Sequence, residues 1–290
     1  MEIIINNLSK RYGKKEVLTN ISLTIPEGMY GLLGRNGAGK TSFMRILATL
    51  SIPTNGDIQM NGVSIKETTK VREMIGYLPQ DFSIYKNMTV FGALDYLCLL
   101  SNLPNKIRKE RIYTLLEQVH LKDNAKTKVK ALSGGMKRRL GIAQALLHNP
   151  QILIVDEPTA GLDPEERIRF RNLLSDFSDG RIVILSTHIA SDIESTCQNV
   201  AVLNKGNILF HGSTETLRKQ ADHKVYLITV PKSLDKPIKE HYYVLNRNST
   251  NTGIQYRILS NTPPNELAEI QTPTLEDGYM YLLQQAEGES

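Results

Sequence analysis

An α/β fold built on a parallel sheet, followed by a smaller second domain, is what this sequence predicts, and three observations carry that expectation. Gly34-Arg35-Asn36-Gly37-Ala38-Gly39-Lys40-Thr41 fits the template G-x-x-x-x-G-K-[ST] between the apolar run Met29-Tyr30-Gly31-Leu32-Leu33 and a segment, Thr41 to Leu47, with helical apolar spacing. Ile152 to Val155 and Ile182 to Leu185 are short, charge-free runs rich in β-branched residues, the kind that lies in a sheet covered on both faces. Beyond about Ala221 the composition shifts towards Tyr, Asn, Thr and Pro, which marks the second domain.

In chain order, strand-like runs occur at Ile3 to Ile5, Val17 to Ile25, Gly31 to Leu33, Asp57 to Met60 and Ile75 to Leu78, ahead of a helical stretch from about Val90 to Val119. The parallel-sheet runs at 152–155 and 182–185 follow, with helical segments between them. Val200 to Leu203 and Ile208 to His211 flank Lys205-Gly206-Asn207, a turn sequence that predicts a hairpin. Strands are expected at Val225 to Val230, Tyr242 to Leu245 and Ile254 to Leu259, and helical pieces near Asn265 to Ile270 and Leu275 to Gln284, punctuated by Pro263-Pro264 and Pro273.

The bulk properties exclude several classes. With 290 residues, 40% of them hydrophobic, the chain can bury an ordinary globular core. A net charge of +5 is compatible with an anionic nucleotide or the negative inner face of a membrane, and the basic clusters read mostly as solvated helix faces. Cys98 and Cys197 stand far apart in apolar or helical surroundings, as reduced thiols do, so neither a disulfide nor a transition-metal site is expected. The start, Met1-Glu2-Ile3-Ile4-Ile5-Asn6, has neither the basic residues nor the long apolar stretch of a signal peptide, and nowhere do about 18 apolar residues run together.

Two motifs carry the chemistry. In the first, glycines let the backbone curl so that successive N–H groups of Gly34, Arg35, Asn36, Gly37, Ala38 and Gly39 converge on phosphates; Lys40 adds a point charge, and Thr41 with Ser42 opens a helix whose N-terminus favours an anion. A bound nucleoside triphosphate follows, with the Thr41 hydroxyl as an oxygen ligand for Mg²⁺. In the second, Ile152-Leu153-Ile154-Val155 ends in Asp156-Glu157-Pro158 and carries two acids to the sheet's carboxyl end, where Asp156 can hold the metal and Glu157 can polarise a water aimed at the γ-phosphate.

Leu132-Ser133-Gly134-Gly135-Met136, lying between these motifs and opening a helix, completes a set that resembles the ATP-binding cassette (ABC) ATPases over about the first 220 residues. The resemblance implies a mixed-sheet cassette at 1–220, with an N-terminal antiparallel β-subdomain and a helical subdomain at about 82–148, and leaves 221–290 as a small α+β accessory domain. It implies ATP as the nucleotide, and it implies that Ser133, Gly134 and Gly135 face the ATP of a second subunit in a homo- or heterodimer. It assigns Gln80 to the metal and attacking water, Asp163 to a loop crossing the dimer interface, His188 to the γ-phosphate and Tyr12 to stacking on adenine. Arg35 stands where the family often has proline, and Met136 where it often has glutamine; the latter variant, followed by Lys137-Arg138-Arg139, looks like the export branch.

The use of hydrolysis is then a matter of partner. No coiled-coil insertion of the DNA-repair relatives and no second cassette of the ribosomal relatives is present, so nucleic acid is not expected. A soluble single-cassette ATPase acting on a protein partner remains the alternative, although such chains generally stop near the cassette's end. Here the tail Pro273-Thr274-Leu275-Glu276-Asp277 resembles that of bacterial drug- and peptide-export ATPases. The resemblance therefore implies transmembrane permease subunits in separate chains and a cytoplasmic location, peripheral on the inner face of the bacterial membrane. The same resemblance implies docking of that partner at Asp81 to Leu100, where about half of Phe82, Tyr85, Val90, Phe91, Tyr96 and Leu97 are expected in the core and the rest on an exposed apolar groove beside Gln80. A non-hydrolysing regulator is disfavoured because Glu157 and His188 are both present.

Overall fold

The computed structural model describes residues 1–288 other than 102, 252 and 267, and only the backbone of residues 232, 235 and 237. The chain divides into two compact units, Met1–Ile208 and Leu209–Ser290.

In the first unit, β1 (Glu2–Tyr12) and β2 (Lys15–Pro26) form an antiparallel pair with Ile3 opposite Ile25 and Ile5 opposite Leu23. The alternation of these strands buries Ile3, Ile5, Ile21, Leu23 and Ile25 on one face, as a half-covered sheet requires. Then come β3 (Gly28–Leu33), α1 (Lys40–Leu47), β4 (Asn55–Met60), β5 (Val63–Ser64), α2 (Thr68–Met74) and β6 (Ile75–Leu78). β4 joins the free edge of β1 antiparallel, giving a small sheet in the order β2-β1-β4-β5.

The helical stretch expected over 90–119 is two helices, α3 (Val90–Leu100) and α4 (Asn105–Gln118). Pro104 separates them: it has no N–H to continue a helix and sits extended, at φ −60° and ψ 138°, as the residue capping α4. Next follow α5 (Gly134–Ala145), β7 (Ile152–Asp156), α6 (Pro164–Phe177), β8 (Ile182–Thr187), α7 (Ala190–Glu194) and β9 (Asn199–Asn204). β9, β3, β8, β7 and β6 lie side by side and all run parallel. Every residue of β7 and β8 is buried, which is why neither strand alternates in polarity. α1 packs Phe43, Met44 and Leu47 into a core shared by both sheets, with Ile152, Ile154, Ile182 and Ile184 from one and Ile3, Ile5 and Ile58 from the other.

The expected hairpin turns at Lys205-Gly206 into β10 (Asn207–Ser213), which carries the chain into the second unit. That unit continues with α8 (Thr214–Lys219), β11 (Val225–Val230), α9 (Asp235–His241), β12 (Tyr243–Ser249), β13 (Ile254–Leu259), β14 (Glu269–Ile270) and α10 (Leu275–Gly288). Its four strands form an antiparallel sheet, β12-β13-β11-β14, around Ile228, Ile254, Tyr256 and Ile258. The unit begins before residue 221 because α8 packs on α10: a Cβ on Gly278 would stand 2.2 Å from the Leu217 carbonyl oxygen, so only glycine permits this approach. The helix expected at 265–270 is instead a turn leading into β14, which is recruited by β11 through Tyr226 opposite Ile270; residue 267 lies outside the described residues.

Candidate active site

The glycine-rich loop lies between the carboxyl end of β3 and α1. Gly39 caps α1 at φ +112° and Gly37 sits at φ +83°, both in the left-handed region that glycine enters without strain. Gly34 is needed for a different reason, since a Cβ there would meet the Leu203 carbonyl oxygen at 2.4 Å. Arg35, Asn36 and Gly37 are exposed and Ala38 is buried beneath them, its N–H donating to the Arg35 carbonyl at 3.1 Å. Lys40 lies buried under the loop. Its Nζ donates to the Gly34 carbonyl at 2.7 Å and the Arg35 carbonyl at 3.3 Å, and lies 3.0 Å from Glu157 Oε1.

β7 and β8 bring the acids to this loop. Parallel pairing sets Asp156 beside Ser186, whose hydroxyl donates to Asp156 Oδ1 at 2.5 Å. Burial pushes the Asp156 carboxyl above the usual range; the Ser186 and Thr41 hydroxyls act against that, the Glu157 carboxylate adds to it, and the Lys40 ammonium opposes it. The second oxygen, Asp156 Oδ2, is buried without a hydrogen-bond partner. Glu157 takes φ +48°, an uncommon conformation for a residue with a side chain, and that sharp turn swings its carboxylate back between Lys40 and His188, whose Nδ1 lies 2.8 Å from Glu157 Oε2.

A cavity of about 500 Å³ opens beside these groups, lined by Thr41 and Arg45 of α1, Tyr77 and Gln80 at the end of β6, Gln144 of α5 and Asp156. Thr41, Gln80 and Asp156 thus converge on one space and offer only oxygens to a cation, the donor type that Mg²⁺ selects. The partnerless Asp156 Oδ2 is the atom such a cation would satisfy, so these residues fit the metal. Among the described residues no group of three or more His, Cys, Asp or Glu is arranged to hold a metal ion, and both cysteines are buried and free.

Tyr12 stands at the end of β1, half exposed, with its hydroxyl hydrogen-bonded to Ser51 and Ser42 in a way that lowers its pKa. The ring is therefore beside the first turn of α1. Ser133, Gly134, Gly135 and Asp163 form a separate group. Ser133 caps α5 by accepting from the Met136 N–H at 3.2 Å, and Asp163 caps α6 by accepting from the Glu166 N–H at 2.9 Å. Glu166 then pairs with Arg139 at 3.2 Å, and a Cβ on Gly135 would come within 2.9 Å of the Glu166 carboxylate. Among the described residues, no hydrogen bond or ion pair joins this group to Lys40, Thr41 or Asp156.

Three residues beyond those picked out from the sequence support the site. Ser186 touches both acids. Asp192, fully buried, accepts from the Thr159 hydroxyl at 2.7 Å and so ties the segment after Glu157 to α7, four residues beyond His188. Arg138 of α5 donates to the Pro79 carbonyl at 3.3 Å, next to Gln80. Arg138 belongs to the basic run after Met136, but no local pattern pointed to these contacts of Ser186, Asp192 or Arg138.

A glycine-rich loop between strand and helix in a parallel α/β core, with a lysine, two strand-end acids and a histidine clustered beside it, defines the class, a nucleoside triphosphatase. The family model described as "ABC transporter" matches residues 18–160. An ABC transporter ATP-binding protein of Bacillus subtilis (strain 168), YxlF, is 37% identical over 83% of this chain and 80% of its own length. The linearmycin resistance ATP-binding protein LnrL of the same organism is 35% identical over 73% of this chain and 69% of its own. A methionine import ATP-binding protein, MetN of Carboxydothermus hydrogenoformans, stands at a similar level, 37% over 72% and 66%, so identity alone does not separate directions of transport. The solved cassette MJ0796, described as dimeric and bound to ADP and Pi after hydrolysis, superposes with a TM-score of 0.66 at 26% identity, covering 73% of this chain and 98% of that one. The chain belongs to the ATP-binding proteins of ABC transporters, and it is an ATPase.

Proposed function

We propose that the chain drives export: two nucleotide domains, identical or from related chains, close around two ATP·Mg²⁺, and closure is passed to transmembrane subunits in separate chains. The observation that carries this reading is the convergence of Thr41, Gln80 and Asp156 on one cavity beside the Lys40, Glu157 and His188 cluster. Lys40 and the amides of residues 34–39 hold the phosphates, with Ser42 behind them and Tyr12 against the adenine. Thr41, Gln80 and Asp156 hold the metal, which when bound neutralises phosphate charge. Glu157 orients and polarises the attacking water, and His188 steadies the γ-phosphate. Ser133, Gly134, Gly135 and Asp163 meet the ATP held by the opposite subunit, so each triphosphate touches both halves. ATP then favours the closed pair and ADP does not, which is the differential affinity that a ligand-driven change requires.

Export rests on the Pro273-to-Asp277 tail, on Met136, and on the likeness to a resistance protein. Among the described residues no helix is long and apolar enough to cross a membrane, which fits a subunit peripheral on the inner face and working through partners. Light scattering on the Glu157→Gln variant tests the core of the reading. With saturating MgATP it is expected to run as a dimer whose turnover has fallen about a hundredfold or more. Monomers alone, even with the membrane subunit supplied, would refute it.

A further inference from the structure

We propose that Ser186 is a positioning residue for both carboxylates: its hydroxyl orients Asp156 towards the cation and pins the backbone turn that aims Glu157. The inference deepens the reading above and rests on Asp156 being a metal ligand. Three observations carry it. Ser186 is fully buried at the end of β8 and lies opposite Asp156 in the parallel register, so its side chain has no solvent partner to turn to. Its Oγ donates to Asp156 Oδ1 at 2.5 Å and accepts from the Glu157 N–H at 3.0 Å. Glu157, with φ +48°, holds a conformation that persists only where the surroundings over-determine it.

A hydroxyl has one proton to give. Here it goes to Asp156, so the oxygen's lone pairs face Glu157, and the two contacts fix each other's direction. With Oδ1 engaged, the carboxylate can present only Oδ2, which is the buried oxygen left without a hydrogen-bond partner. The Glu157 N–H also reaches the Ser186 carbonyl at 3.1 Å, so both oxygens of one serine clamp the turn. Removing the hydroxyl takes away the hydrogen bond that fixes Asp156 Oδ1 and leaves the carboxylate freer to rotate away from the metal, with the Thr41 hydroxyl as its remaining hydroxyl partner. Partners that orient metal ligands in this way are commonly worth about 10- to 100-fold in metal affinity.

The test uses the purified full chain and a non-hydrolysable ATP analogue, with affinity measured by calorimetry in EDTA and again in Mg²⁺. The ratio of the two affinities reports metal coupling without any turnover. Ser186→Ala is expected to lower that ratio about tenfold while leaving the EDTA affinity within about twofold, and Ser186→Thr to restore it to within about threefold. A wild-type ratio in Ser186→Ala, or a lowered ratio that Ser186→Thr leaves lowered, overturns the proposal. If Ser186→Ala does not fold, Ser186→Cys, with similar volume and a weak donor, takes its place under the same criteria. Asp156→Asn separates the two levels of the argument. Loss of Mg²⁺ coupling there with coupling intact in Ser186→Ala sinks the role of Ser186 alone, whereas intact coupling in Asp156→Asn sinks the metal assignment and this proposal with it.

Discussion

Lys40 Nζ and Glu157 Oε1 stand 3.0 Å apart, with each side chain only 5% exposed. The ammonium expected to meet phosphate is thus already engaged by the carboxylate expected to polarise water. In so buried a setting the pair interacts strongly, and an incoming phosphate must compete with Glu157 for the same charge. Neutralising the acid frees the lysine and also removes a like charge from the anion's surroundings. ADP affinity of Glu157→Gln, measured by calorimetry in EDTA, is therefore expected to rise about fivefold over the wild type. ADP cannot be hydrolysed, so arrested turnover does not enter this measurement. Lys40→Ala is expected to move the other way, weakening ADP by about tenfold or more. Equal or weaker ADP binding in Glu157→Gln would show that the two side chains do not compete in this way.

The two cysteines give a prediction about reactivity and pH. Burial pushes the Cys197 thiol up to about 12, and it raises Cys98 as well, with Asp95 adding to the effect. The reactive species is the thiolate, so neither residue is expected to react with a thiol-specific dye at pH 8 in the native protein, and both are expected to react in denaturant. The sign for stability follows from proton counting. As pH rises past the ordinary thiol value, the unfolded chain loses its protons first while the fold keeps them, so folding stability falls through the window up to about 12 for Cys197. Rapid native labelling of either residue would contradict the burial described for it.

Within the second unit, the tail motif is a structural device. Thr274 and Asp277 form a reciprocal cap on α10: the Asp277 N–H donates to the Thr274 hydroxyl at 3.2 Å, and the Thr274 N–H donates to Asp277 Oδ2 at 2.7 Å. Arg257 of β13 pairs with the same carboxylate, and Asp277 is 3% exposed. Removing Asp277 takes away this cap, typically worth about 1 kcal/mol, together with the ion pair of the partly exposed Arg257. Asp277→Ala is expected to speed amide hydrogen exchange in β13 and α10 while leaving α1 protected as in the wild type and ATPase turnover within about twofold. Unchanged exchange in β13 would mean the pair contributes little.

Much of the site was legible because its signals are local. The glycine-rich loop announces strand, turn and helix within a few residues, and the β7 and β8 runs lack charges because both faces of those strands are covered. Ser133 and Asp163 sit at helix N-caps, where such side chains satisfy exposed N–H groups. What the sequence did not disclose depends on distant partners. Ser186 is informative only once the parallel register sets it beside Asp156, and Asp192 only once α7 folds back to Thr159. Residues 269–270 take a strand rather than a helix because β11 offers them an edge, and the start of the second unit at 209 follows from α8 meeting α10, a contact no local pattern encodes.

The segment expected to receive a membrane partner divides between core and surface, as expected for its six aromatic and aliphatic residues. Val90 is fully buried and Phe82, Phe91 and Leu97 are half-buried, so these serve the core more than a groove. Exposure falls on Tyr85 and Tyr96, packed edge to face at 5.2 Å, and also on Leu99 and Leu100 at the end of α3, which are 57% and 61% exposed. Val90, Ala93, Leu94 and Cys98 bury one face of α3, and Tyr96 and Leu99 are exposed on the other. Contiguous exposed apolar side chains of this kind mark interaction surfaces. Placing acids there, as in Tyr96→Asp with Leu99→Asp, leaves the core face of α3 untouched and makes burial against an apolar partner unfavourable. The double variant is expected to keep the thermal midpoint and basal ATPase of the purified chain while moving from the membrane pellet to the supernatant of lysed cells, with at least about a tenfold drop in the sedimenting fraction. Retention in the pellet at the wild-type level would place the membrane partner on another face.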